Sequence, residues 1–269
     1  MKLHALSAGT VPSDHATWEC AEIARSEIEA SKTAIGNLRL SERTRHRYLN
    51  PPADTPYPLE YAYFLLGDVR ARDVLDLGCG SGTNTALLAL RSANVWALDI
   101  SPALIELAQQ RLDANGVSAP VRFLVGSAHG IDLPDASVDV VFGIAILHHL
   151  DLGSTSAEVW RVLRPGGRAI FQEPVRNSRL IRALRRLIPY RAPDISPFER
   201  PLTDAEVAAF ARPFRTARVR AFALPHVLLV QAVPALRRWT DTAHRLDGRL
   251  LRSRWLEPFA GIRVIELTK

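Results

Sequence analysis

Three glycines at alternate positions, Gly78, Gly80 and Gly82, follow an acid, Asp76, at the end of the run Val74-Leu75-Asp76-Leu77. A glycine-rich turn of this kind lets backbone come close to a ligand and aims helix N–H groups at it. Asp99 closes the next apolar run, Val95-Trp96-Ala97-Leu98, where a carboxylate can accept both hydroxyls of a ribose. Two details separate this arrangement from a dinucleotide fingerprint. Asp76 stands two residues before the first glycine, where that fingerprint keeps an apolar residue, and Thr83 stands where its third glycine belongs. An acid beside the loop attracts an ammonium group and repels a pyrophosphate. His148, His149 and Glu173 fall just after later apolar runs, on the same expected rim, as candidate general bases. Each also has an ordinary alternative: a histidine held by backbone, or an exposed loop carboxylate.

The elements that must position these residues alternate in type. Val74–Leu77, Val95–Asp99, Val121–Val125, Val138–Ile146 and Arg168–Glu173 read as strands. Asn84–Arg91, Pro102–Asn115 and Ser156–Leu163 read as the helices between them, the second with Ser101 as cap and Pro102 at its first position, the third stopped by Pro165-Gly166-Gly167. This alternation predicts an α/β fold with a mostly parallel sheet, right-handed crossovers and an antiparallel last strand at Ile262–Leu267. In such a sheet the strand ends converge on one crevice, so Asp76, Gly78, Asp99, Ser127 and Ile144 can line a single site. Outside the core, Asp14–Asn37 and Leu59–Leu66 read as helices, Arg39–Tyr48 as a polar stretch, and the prolines between residues 51 and 58 as an irregular link. After Pro174, Leu180–Ile188 reads as an Arg-rich helix, Asp204–Ala211 as a helix capped by Thr203, Arg215–Leu224 as a strand and Val227–Leu246 as a broken helix. The expected division is a helical cap over residues 1–72, a cofactor-binding core over 73–173, and a sheet-completing part over 174–269 with Arg-rich helical insertions.

The 269 residues are 47% hydrophobic and 23% charged, ordinary for a globular chain. No apolar run reaches the ~18 residues of a membrane span, and Met1–Thr10 lacks the pattern of a signal peptide, so a cytoplasmic location is expected. Cys20 and Cys79 provide neither a disulfide framework nor metal spacing. The net charge is +6, and the excess is arginine, since Lys2, Lys32 and Lys269 are the lysines. Arg176, Arg179, Arg182, Arg185, Arg186, Arg191 and Arg200 are opposed only by Asp194 and Glu199. Solvated helix faces account for such a surplus; so does an anionic substrate, a nucleic acid or an acidic surface.

The stretch Val74-Leu75-Asp76-Leu77-Gly78-Cys79-Gly80-Ser81-Gly82 resembles the first motif of the class I S-adenosylmethionine-dependent methyltransferases. Leu98-Asp99-Ile100-Ser101 resembles their second motif, Asp139-Val140-Val141-Phe142 through Leu147-His148-His149-Leu150 their fourth, and Arg161-Val162-Leu163-Arg164-Pro165-Gly166-Gly167 the segment before strand five. The resemblance covers about residues 73–173 and implies a Rossmann-like sheet that binds S-adenosylmethionine and releases S-adenosylhomocysteine. It implies that Asp76 and the loop Gly78, Cys79 and Gly80, with Thr83 and Asn84 after it, hold the amino-acid end of the cofactor. Asp99 would bind the ribose and Ile100 the adenine face. Ser127 stands where the family often has an aspartate that meets the adenine amine; Ala128 keeps the backbone contact. Gly143 and Ile144 would run beside the methionyl portion.

The acceptor is expected to be a small molecule, since no Asn/Asp-Pro-Pro-aromatic motif of amide or nucleobase N-methyltransferases follows strand four. Its contacts are expected from Trp18, Tyr48, Tyr57 and Tyr61 and from Arg176 and Arg179, which together suit an apolar body with an anionic head. C- or O-methylation in specialised metabolism is the leading expectation. The alternatives are C-methylation of an isoprenoid diphosphate alkene with Glu173 as base, and an RNA-modifying or nucleic-acid-binding protein that uses the arginines. No metal is expected at the site, with Mg²⁺ entering only beside a diphosphate acceptor. A homo-oligomer is compatible with the sequence.

Overall fold

The apolar runs become neighbouring strands in a computed structural model that describes residues 15–32, 38–177 and 200–269. Strands β1 (Asp73–Leu77), β2 (Asn94–Asp99), β3 (Val121–Val125), β4 (Val138–Ile144) and β5 (Leu163–Pro174) are parallel. Strand β7 (Ile262–Thr268) lies antiparallel between β5 and β6 (Thr216–Phe222). The seven strands run in the order β3-β2-β1-β4-β5-β7-β6. The order reverses between β1 and β4 on one side and β1 and β2 on the other, so a crevice opens at the carboxyl ends of these strands.

Both faces of the sheet are covered, which is why its central strands are apolar almost throughout. Successive residues of β5 feed opposite cores: Phe171 packs with Leu75, Val141 and Phe210, and Ile170 with Tyr63, Phe142 and Val264. The second cluster draws Tyr63 and Leu66 from before residue 73 and Phe222 and Val264 from after residue 174. The chain therefore packs across the three expected segments.

The helices are α1 (His15–Lys32), α2 (Glu42–Leu49), α3 (Pro58–Leu66), α4 (Thr83–Leu90), α5 (Pro102–Ala114), α6 (Leu152–Val162), α7 (Asp204–Phe210), α8 (Pro225–Ala232) and α9 (Thr240–Leu250). Capping explains several boundaries. The Ser101 hydroxyl accepts from the Leu104 N–H at 3.3 Å and Pro102 opens α5. Thr203 and Glu206 form a capping box at α7.

Beyond shifts of one or two residues at several ends, four differences from the sequence expectation have a visible cause. Glu42–Leu49, expected as a polar stretch, is helical, because Ser41 caps it by accepting from the Thr44 N–H at 3.1 Å. The helix expected from Ser156 starts at Leu152, where Asp151 accepts from the Ser154 N–H at 2.9 Å. Strand β4 stops two residues early because Ala145 turns into the left-handed region at φ 55°. Strand β5 starts five residues early and runs through Pro165-Gly166-Gly167, with Gly166 at φ 76° absorbing the irregularity. The expected helix Leu180–Ile188 and the tail of the first helix, 33–37, lie outside the described residues. Among the described residues no helix is long and apolar enough to cross a membrane.

Candidate functional site

The glycine loop leaves β1 and is tied to β2. The N–H groups of Gly78 and Cys79 both donate to the Leu98 carbonyl at 2.9 Å. The Gly80 N–H donates to Asp99 Oδ2 at 2.8 Å, and the Ser101 N–H to Asp99 Oδ1 at 3.0 Å. Asp99 thus fixes the loop and the turn into α5 at once. Behind the loop, the Arg111 guanidinium donates to the carbonyls of Ser81 at 2.7 Å and Leu38 at 3.1 Å.

Gly78 is required by space and conformation, and Gly80 by conformation alone. Gly78 has φ 70°, and a Cβ there would sit 2.5 Å from Ile146 Cδ1; Gly80 has φ 52° and faces open space. Only glycine adopts these angles without strain. The open space beside Gly80 is a cavity of about 370 Å³. Of the residues expected in one crevice, Gly78, Asp99, Ser127 and Ile144 line it and Asp76 does not; Ile100 and Ala128 line it as well.

Asp76 lies beneath the loop, 1% exposed. Its Oδ2 accepts from the Thr85 hydroxyl at 2.6 Å, while its Oδ1 is buried with no hydrogen-bond partner. Burial, seconded by the charge of Asp99 and opposed by the Thr85 bond, pushes the Asp76 carboxyl up to about 7. A buried acceptor atom without a donor is a standing penalty that a bound ammonium relieves. The residues present therefore fit the amino-acid end of S-adenosylmethionine, with Asp99 and Ile100 at its nucleoside end.

Four further expected cofactor contacts, like Asp76, are absent from the cavity lining. Cys79 packs against Ala97 and Ile105, and burial pushes its thiol well above the ordinary value. Thr83 opens α4, and the Asn84 Oδ1 accepts from the Tyr63 hydroxyl at 2.8 Å. Gly143 serves packing, since a Cβ there would meet the Phe171 ring at 2.7 Å.

The candidate bases on β5 and after β4 form one unit. Glu173 has no exposed surface. Its Oε1 accepts from the N–H groups of Ile146 at 2.9 Å and Leu147 at 2.8 Å, and its Oε2 pairs with His148 Nδ1 at 2.8 Å. His148 lines the cavity; Glu173 stands behind it. This is the base-and-orienter arrangement in which a carboxylate fixes the imidazole tautomer. His149 stacks on His148 with ring centroids 4.1 Å apart, and its Nδ1 lies 3.4 Å from Glu22 Oε2.

Helix α1 closes the cavity from outside, which no motif announced. Glu19, Glu22, Arg25 and Ser26 line the cavity. Glu19 accepts from the Ser127 hydroxyl, and its Oε1 lies 3.1 Å from His129 Nδ1. The Asp151 N–H donates to His129 Nε2 at 3.0 Å, so in the neutral ring Nδ1 carries the proton and donates. Burial raises the Glu22 carboxyl, but the nearby His149 ring and the hydrogen bond and charge of Arg25 outweigh it and hold it at about 2.

The expected acceptor contacts disperse. Tyr48 packs on Tyr63, and Tyr61 lies between Phe64 and Phe222 under the Arg220 guanidinium. Arg176 joins Leu202 through its backbone N–H at 2.8 Å and lines neither cavity. Arg179 and the Trp18 side chain lie outside the described residues. Tyr57 lines a second cavity, of about 410 Å³, beside the end of β5. Among the described residues no group of three or more His, Cys, Asp or Glu side chains is placed to hold a metal ion.

Residues 75–171 match the family described as Methyltransferase domain. A malonyl-[acyl-carrier protein] O-methyltransferase of Serratia marcescens is 35% identical over 99 residues, which are 36% of this chain and 36% of that protein. An O-methyltransferase of Aspergillus nomiae is 35% identical over 105 residues, 38% of this chain and 47% of that protein. The matched region thus spans under half the length of these curated relatives. Among solved structures, a geranyl diphosphate methyltransferase in complex with GPP and sinefungin has a TM-score of 0.59 at 18% identity, covering 94% of this chain and 98% of that one. A putative sarcosine dimethylglycine methyltransferase from Galdieria sulphuraria has a TM-score of 0.54 at 19% identity, covering 78% of this chain and 84% of that one. These two likenesses are likenesses of fold.

Proposed function

We propose that this chain, which carries a class I S-adenosylmethionine-dependent methyltransferase domain, moves the sulfonium methyl to carbon or oxygen of a small-molecule acceptor. One observation carries the reading: Asp99, Ile100 and the Glu173-backed His148 line the same cavity. Bound S-adenosylmethionine supplies a methyl already activated as an electrophile. The chain must bring a nucleophile in line with it and take a proton. Glu173 holds Nδ1 of His148 as the donor, so Nε2 carries the lone pair that receives the acceptor's proton. The acceptor–methyl bond forms as the sulfur–methyl bond breaks, leaving a neutral thioether. Glu173 stabilises the resulting imidazolium and is a positioning residue.

His148→Asn is expected to lower kcat by about 10²–10⁴-fold while S-adenosylhomocysteine binds within about twofold of wild type. Glu173→Gln should lower kcat as well and displace the pH profile, because a neutral amide cannot stabilise the imidazolium. The assay is transfer from labelled cofactor to a panel of phenols, quinones and prenyl diphosphates, with calorimetry for binding. A near-normal kcat in the His148 variant removes the base from the scheme.

A second reading has one observation in its favour. The geranyl diphosphate methyltransferase fold matches nearly the whole chain, including the segments outside residues 75–171. Methylation of such an alkene leaves a carbocation, which aromatic faces stabilise. Glu173, the base expected from sequence for that reaction, is enclosed, and both its oxygens are engaged. In this reading too the proton passes first to His148.

A further inference from the structure

The second cavity has the composition of an anion site. Arg43 and Arg47 from α2 and Arg237 and Arg238 from the turn after α8 line it together, with Asp241 as the carboxylate among the lining groups. Arg47 is already paired with Glu60, and Asp241 accepts from the Tyr57 hydroxyl. Arg237 donates to the Gln231 carbonyl at 3.1 Å. Among the described residues Arg43, Arg237 and Arg238 enter no ion pair; Arg43 lies near enough to Asp241 to add to the Tyr57 hydrogen bond in lowering its carboxyl, and Arg238 lies over the Trp239 ring at 5.7 Å, so positive charge exceeds the single carboxylate around this concave surface. One further lining group, His244, is 5% exposed and holds a buried Nδ1 with no hydrogen-bond partner; the Gln231 amide donates to its Nε2 at 3.2 Å, so Nδ1 is the ring's donor. Such an atom is rare in folded proteins and points to something that completes it.

Its location links it to the first cavity. Gln172 sits beside Ile144 in the β4–β5 ladder, and the Ala145 N–H donates to the Gln172 carbonyl at 2.8 Å. Ile144 and Ala145 line the first cavity and Gln172 the second. The two cavities thus border neighbouring strands, whose backbones run ~4.8 Å apart. Leu59 and Ile262 give the second cavity an apolar side.

We propose that this second cavity is the anion subsite of the acceptor, holding a phosphate or diphosphate head while the reacting atom lies beside His148. The inference rests on the methyl-transfer reading above and names the class of acceptor for it. Several guanidinium forks converging on one space suit an anion with oxygens on several sides, which a phosphate or diphosphate has and a single carboxylate lacks. The apolar side and the short distance to the first cavity suit a body of a few carbon–carbon bonds between head and methylated atom.

Inorganic pyrophosphate is the probe, titrated calorimetrically into the full chain with and without Mg²⁺. The wild type should bind one equivalent saturably. Arg43→Gln combined with Arg238→Gln should weaken binding at least about tenfold and leave the S-adenosylhomocysteine affinity within about twofold. Arg249→Gln combined with Arg252→Gln, in a different cavity, is the control for general charge. Absence of saturable pyrophosphate binding overturns the proposal, as does an equal loss in the control variant. Displacement of pyrophosphate by a short single-stranded RNA that binds more tightly at Arg43 and Arg238 overturns it in favour of nucleic acid. S-adenosylhomocysteine binding without pyrophosphate binding defeats the subsite alone; pyrophosphate binding without S-adenosylhomocysteine binding defeats the methyl-transfer reading on which it rests.

Discussion

Replacing Asp76 by Asn should make the empty protein more stable and the cofactor site worse. Burial raises this carboxyl from its ordinary 3.8 to about 7. An acid with a raised folded value contributes its full stability below 3.8 and loses it as pH rises through about 7, because only the unfolded chain ionises freely in between. The interval is about three pH units, and at 1.36 kcal/mol per unit the ceiling on the penalty above neutrality is ~4 kcal/mol. Between pH 5 and pH 8 the penalty grows by roughly 2–3 kcal/mol on the same arithmetic. Asparagine keeps the shape and does not titrate. Urea unfolding of wild type and Asp76→Asn without cofactor should therefore show a stability difference that widens in favour of the variant by about that amount from pH 5 to pH 8. A second measurement isolates the same group. The cofactor's ammonium ionises Asp76, so S-adenosylhomocysteine binding to the wild type near pH 6.5 should release a fraction of a proton, read as a buffer-dependent enthalpy. The variant should release none and bind more weakly. A stability difference that stays constant across pH refutes the reasoning, because Asp76 would then be ionised in the empty fold.

Two further outcomes follow from the loop and its cover. Gly78→Ala should destabilise the protein by about 2–4 kcal/mol, since a Cβ meets Ile146 at 2.5 Å in a positive-φ residue. Gly80→Ala, which meets nothing within 4 Å, should cost only the backbone strain of ~1 kcal/mol; equal losses in thermal unfolding would show that Ile146 yields freely. Glu19→Gln removes the charge that binds Ser127 and His129 to α1. It should speed tryptic cleavage at Arg25 and weaken S-adenosylhomocysteine binding several-fold; unchanged cleavage in both empty and loaded protein would mean that α1 is held by other contacts.

The parts of the site written in consecutive residues were legible in the sequence. The Asp76–Gly82 turn and Asp99 carry their geometry locally, because a strand, a tight turn and a helix cap are each a matter of a few residues. The Glu173–His148 pairing was half legible. Both residues were recognisable as candidate bases, but the order between them depends on β4 and β5 being neighbours and on the turn at Ala145, which only the assembled sheet defines. Glu19 and His129 carried no signal, since a helix face touching a loop over a hundred residues away leaves no periodicity behind. Charge density singled out Arg176 and Arg179, whereas the lined cavity gathers Arg43 and Arg47 with Arg237 and Arg238 from opposite ends of the chain. Aromatic residues expected at the acceptor, Tyr48 and Tyr61, went to packing, which is the usual fate of large apolar area beside a sheet.

Strand β7 sits between β5 and β6, although it follows both in sequence. During synthesis β6 therefore has no strand to pair with until residues 262–268 have emerged. The cofactor side, built from β1 to β5, consists of early and mostly local pairings, while the arginine cavity needs Gln172 of β5 and Ile262 of β7 together with both turns of chain between them. The two halves of the site thus have different birthdays. A nascent chain can hold the glycine loop and Asp99 in place before the opposite wall exists, and long-range closure of this kind is the slow part of folding. On the proposed reading, an interrupted chain would have the glycine loop and Asp99 without the arginine-lined cavity.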